Sequence, residues 1–149
     1  MRCIDIRMAP VWVLLVLSVA AALAARPPAP AAAAVVLPAP DAVSTAEQLS
    51  LQAARRLVAA NPQGSYLGEP QSVLLAIPVL RVELNADGSV RRIEVLRYPG
   101  QARDTTQLAI DAVRRAAPYG DVSRMPKPWK FTEVFLFNDD RKFKPRTLD

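Results

Sequence analysis

The sequence predicts an α+β domain, a small two-layer unit in which an antiparallel sheet of about three strands, in the order β-β-α-β, is covered by a helix. Three observations predict it. Leu80, Val82 and Leu84 alternate with Arg81, Glu83 and Asn85, so one face of that stretch is apolar and the other polar. Leu108, Ala109, Ala112, Val113 and Ala116 recur at helical spacing further on, with Asp111, Arg114 and Arg115 facing water. Trp129, Phe131, Phe135 and Phe137 then share one parity, with Val134 and Leu136 on the other, in the most strand-like stretch of the chain.

The elements divide the 149 residues into four parts. Residues 1–25 open with Arg2 and Arg7 against Asp5, run uncharged from Met8 to Ala25 and end in small residues, the pattern of a secretory signal. Ala22-Leu23-Ala24 is the best cleavage site, and an uncleaved anchor is the rival reading, because 18 apolar residues approach the roughly 20 needed to span a bilayer. Either way the basic flank stays inside and the rest of the chain is expected in the periplasm, soluble or anchored through residues 8–25. Residues 26–43 form a Pro/Ala-rich linker, with five prolines and six alanines between Pro27 and Pro40. Proline favours extended polyproline II, so at ~3.1 Å per residue the tract reaches about 40 Å as a semi-rigid tether.

Residues 44–61 form an amphipathic helix. Ser44 and Glu47 have the spacing of a capping box, Leu49, Ala53, Leu57 and Ala60 form a modest stripe, and Asn61-Pro62-Gln63-Gly64 ends it. Such a face is expected to lie on the domain or on a partner rather than in a core. The domain proper occupies residues 65–149, with strand pattern from Val73. Ala86-Asp87-Gly88-Ser89 makes the hairpin turn and Val90 to Arg97 the return strand, where Val90 and Leu96 fall on the wrong parity for Ile93 and Val95 and imply a bulge. Asp104, with Gln107 three residues on, opens the second helix, and Ala117-Pro118-Tyr119-Gly120 stops it. A core this small gains stability from dimerisation or a partner.

Composition excludes several functions. Of nineteen Lys+Arg and fourteen Asp+Glu, Arg2, Arg7, Arg26 and Asp5 fall in the first 40 residues, leaving 16 basic against 13 acidic groups, too balanced for a nucleic-acid binder. The absence of histidine removes imidazole catalysis, and Cys3 as the sole thiol argues against a zinc site and an internal disulfide. Asp139 and Asp140 are adjacent on an extended chain and point apart, a poor acid–base pair. Ser65 and Ser72 lack an activating base, and Gly88 and Gly100 are isolated rather than part of a phosphate loop. Neither enzyme, cofactor nor metal is expected.

The stretches VLRVELNADGSVRRIEVLRYPG, DTTQLAIDAVRRAAPYG and WKFTEVFLFN, spread over roughly residues 70–138, resemble the C-terminal domain of the TonB family. The leader and the proline-rich spacer match the family's architecture. The resemblance implies a periplasmic domain that binds a short extended peptide of an outer-membrane receptor, or another envelope protein, as an added strand. The alternative is a soluble periplasmic structural or adaptor protein with no energy-transducing role. With the last strand as the edge, Lys130, Thr132, Val134 and Leu136 would present the partner-binding face, Arg141 and Lys142 would steer an acidic segment, and Val134→Pro would abolish binding.

Overall fold

The computed structural model describes residues 35–149, so the leader and the first half of the linker lie outside the described residues. Two α-helices, α1 (Ala46–Ala60) and α2 (Asp104–Ala116), pack against four strands, β1 (Val79–Leu84), β2 (Val90–Arg97), β3 (Lys130–Phe137) and β4 (Phe143–Pro145), and a 3-10 turn at Arg146–Leu148 follows. The fold is α+β, with one antiparallel sheet in the order β2-β1-β3-β4. The fourth strand is three residues long and is an addition to the three expected. Phe143 is the reason it packs: its ring is buried edge-on against Phe135, with centroids 5.2 Å apart.

The hairpin between β1 and β2 turns at Gly88, whose φ of +82° favours glycine and whose Cβ, if present, would collide with the backbone of Gly120. Asp87 accepts hydrogen bonds from the Ser89 N–H and hydroxyl, which keeps its carboxyl below the usual carboxylate range. Register shifts lie at both ends of the pairing. They resolve the parity conflict: Val90 pairs with Leu84 and Val95 with Leu80, both toward the core, and the extra residue Leu96 is left 40% exposed.

On the helix-covered face, Val82 pairs with Phe131 and Leu80 with Glu133, while Phe135 and Phe137 continue the row of β3. Both helices lie on this face. Leu49, Ala53 and Leu57 of α1 are completely buried, so this helix is part of the core rather than an appendage. Small side chains explain it: Ala53, Ala54, Ala109 and Ala112 let α1 and α2 approach closely, and a modest apolar stripe then suffices. The α1 cap lies one residue later than the capping box suggests, with Thr45 accepting from the Gln48 N–H and Ser44 donating to the Gln48 side chain.

At α2 the expected cap is not formed. Asp104 is the first helical residue, Arg103 before it is itself helical, and the Thr105 hydroxyl and amide both donate to Ala102 O. Asp104 faces Arg141 instead, and Gln107 donates to Asp111. Leu108 is 38% exposed, so Thr105 and Thr106 take the buried positions of that turn. Past α2, the Tyr119 hydroxyl donates to Val113 O at 2.7 Å, and burial raises its pKa. The linker is also shorter than its composition suggests. Val43 is buried and donates to Asp121 O, and Leu37 packs at the edge of the core, so the spacer joins the domain ahead of α1.

Candidate functional site

The two long margins of the sheet are built differently, which decides where a partner strand can pair. Outside β4, the Phe143 N–H donates to Gly64 O and the Tyr66 N–H to Phe143 O, so residues 64–66 occupy that margin. The last long strand, β3, lies between β1 and β4, but β4 pairs only with Phe135, Leu136 and Phe137, so residues 130–134 have no strand neighbour on that side among the described residues. The expectation that β3 is the docking edge is therefore corrected at Leu136, which β4 covers. Its physical cause is the short β4, which the aromatic pairing of Phe143 draws back onto β3.

The six residues singled out in the sequence do not assemble into one surface. Lys130 and Thr132 are exposed on the open face, opposite Glu83 and Arg81. Val134 is half-buried opposite Val79, and Leu136 is buried opposite Lys144. The Val134 N–H donates to the Glu133 carboxylate, so a proline there would remove that bond rather than one of the ladder to β1. Arg141 and Lys142 lie in the β3–β4 turn. Arg141 donates to Asp104 at 2.7 Å, holding that carboxyl below its ordinary range, and the Lys142 amide donates to the Asn138 side chain.

The margin without a neighbour along its whole length among the described residues is β2. Its outward positions follow from the ladder on its other side. Leu84 N–H bonds Trp129 O and Phe135 N–H bonds Pro78 O, so alternate residues of β1, including Leu80 and Val82, direct their backbone groups toward β3. Val82 and Leu80 therefore form non-hydrogen-bonded pairs with Ile93 and Val95, whose N–H and C=O groups point away from the sheet. These two residues offer a strand-length row of unpaired donors and acceptors.

The side chains around this row are basic and amphipathic. Arg92 stands opposite Glu83, and Glu94 opposite Arg81 with an ion pair of 3.3 Å. Arg97 stands opposite Val79, while Tyr98 is 67% exposed just beyond the strand. Arg91, Arg92 and Arg97 outnumber the single acid of the strand, and that acid is already paired. The sequence reading missed this edge because VRRIEVLR reads as an ordinary solvated return strand. The available signal was charge, since edge strands carry it preferentially.

Glu133 was also missed. It occupies the core-facing parity between Phe131 and Phe135 and is 1% exposed. One carboxylate oxygen accepts from the Thr147 and Val134 amides, and the other has no partner. Burial pushes its carboxyl above the usual range, against the pull of those amides. A carboxylate at alternate spacing within an aromatic strand was the signal.

Asp139 and Asp140 are exposed in the β3–β4 turn. Among the described residues, no group of three or more His, Cys, Asp or Glu side chains could hold a metal ion, and no helix is long and apolar enough to cross a membrane. No family model, curated protein or solved structure matches the chain.

Proposed function

We propose that this chain is an exported protein–protein interaction module, with β2 as the edge onto which an extended peptide of an envelope partner adds as a further strand. The observation that carries the reading is the contrast in backbone pairing: Ile93 and Val95 direct their groups outward, whereas residues 64–66 occupy the opposite margin. Backbone pairing supplies affinity that depends little on partner sequence, and side chains beside the edge supply selection. Arg91, Arg92 and Arg97 favour a partner strand carrying acidic residues, while Leu96 and Tyr98 offer apolar contact. The resemblance to the TonB C-terminal domain, the apolar leader and the Pro/Ala spacer support the same reading. On this reading the chemistry is recognition, without a catalytic step or cofactor.

The test uses the full chain as bait for a display library of random ten-residue peptides. Selected peptides should slow amide exchange of residues 90–97. Ile93→Pro removes an outward donor and should abolish binding in a protein that still folds, whereas Arg92→Pro, one residue away, breaks the ladder to β1 and should unfold it. Peptides that protect a different surface, or that bind folded Ile93→Pro unchanged, would overturn the reading.

A further inference from the structure

A groove of about 540 Å³ lies between the incoming segment, residues 37–43, and the outer face of α1. Its volume falls within the roughly 300–1,000 Å³ of small-molecule sites. Leu37, Leu51 and Ala59 give it apolar walls, and Arg55 and Arg56 line the same space.

Arg56 is the unusual member. It is 9% exposed, and charged side chains are seldom so deeply buried without an opposite charge. Its Nε donates to Ala116 O and its Nη1 to Pro38 O. Ala116 is the last residue of α2, and a helix C-terminus supplies about half a negative charge, which offsets the guanidinium only in part. Neither Arg55 nor Arg56 forms an ion pair among the described residues, and Nη2 of Arg56 makes no hydrogen bond to them. Asp41 also lines the groove, but its contribution is its carbonyl, which accepts from Gln52, and its carboxylate forms no ion pair. Two cations against one acid leave the groove net positive.

From this geometry we infer that the groove binds a small amphipathic carboxylate, an aliphatic acid whose head takes the unused donors of Arg56 and Arg55 and whose tail lies on Leu37, Leu51 and Ala59. A planar guanidinium matches a carboxylate in shape as well as charge. The apolar walls exclude water from the tail and select against simple inorganic anions, which would leave those walls wet. The site is separate from the β2 edge, and neither depends on the other.

The test is calorimetric titration of the full chain with octanoate, 1-octanol and sodium acetate. Octanoate should bind saturably at one site, with octanol and acetate each at least tenfold weaker, because each lacks half of the recognition. Arg56→Gln should weaken octanoate at least tenfold. Since Arg56 also ties α1 to α2, Ala59→Glu provides a second variant: it keeps a good helix former on an exposed position and places a competing carboxylate in the groove. It should weaken octanoate by a similar factor with an unchanged far-ultraviolet spectrum. Equal binding of octanol and octanoate, absence of saturable binding, or undiminished binding by folded Ala59→Glu would overturn the inference.

Discussion

The margins of this sheet differ in what their side chains and backbone are used for. At β4, Phe143, Lys144 and Pro145 are all buried, and residues 64–66 occupy the outer backbone groups. At β2, none of the eight residues is fully buried, Arg91, Arg92, Leu96 and Arg97 are exposed, and Ile93 and Val95 direct backbone groups outward. A three-residue strand that is wholly buried stabilises the fold. An eight-residue strand that is largely wet leaves its pairing capacity unused. The difference shows that strand length and hydrophobicity do not identify a docking edge. What matters is which strand ends up without a neighbour.

The comparison can be broken most forcefully at β4. Phe143→Ala removes a ring buried against Phe135 and Phe137 and should cost about 3–5 kcal/mol, whereas Tyr98→Ala beside β2 should cost less than about 0.5 kcal/mol. Urea midpoints of the two variants measure this; equal losses would show that the margins are not functionally distinct.

The next effect concerns the C-terminal turn that braces β4. Lys144, its side chain 7% exposed, pairs with Asp149 at 2.8 Å. Asp149→Asn leaves the ammonium without its counter-charge and should cost about 1 kcal/mol, less than a fully buried pair because Asp149 is 44% exposed. A thermal melt unchanged from the parent would mean that the pair contributes nothing.

Glu133 gives a pH-dependent test of the same side of the sheet. Its folded-state pKa lies above the ordinary value of 4.5, so the folded protein binds this proton more tightly than the unfolded chain does. Its contribution to stability is therefore greatest below the unfolded value and is lost as pH rises through the folded value. Glu133→Gln should raise the urea midpoint at pH 7.5, by about 1 kcal/mol in stability, and gain little at pH 4. A gain at pH 4 equal to that at pH 7.5 would exclude the ionisation of Glu133 as the cause.

The smallest effect belongs to β2. Glu94→Ala breaks the half-exposed pair with Arg81 and should cost roughly 0.2–1 kcal/mol, while making the edge more positive. On the reading proposed for β2, peptides selected for acidic residues should bind this variant more tightly at low salt. Weaker binding would contradict the role given to the arginines.

How much of this was legible depended on the range of the interaction. The hairpin at Asp87-Gly88, the stripe of α2 and the aromatic row of β3 are local patterns, and the sequence carries them openly. Even the bulges of β2 were signalled, by the conflicting parity of Val90 and Leu96. The order of strands was not, because it rests on contacts between distant residues: Ser65 with Phe143, and Phe143 with Phe135. α1 was undervalued for the same reason, since its alanines gain their worth only opposite those of α2. The site inherited these errors. Leu136 was assigned to an edge because the strand after β3 is short, and Arg56, off the stripe, gave no sign that it would be buried at the end of another helix.

The most direct test of the central claim is residue-resolved amide hydrogen exchange on the full chain without any partner. The account predicts that the Ile93 and Val95 amides exchange orders of magnitude faster than those of Phe135 and Phe143, which bond Pro78 O and Gly64 O. Protection of Ile93 and Val95 equal to that of Phe143 would contradict it, because β2 would then already be covered and unable to receive another strand.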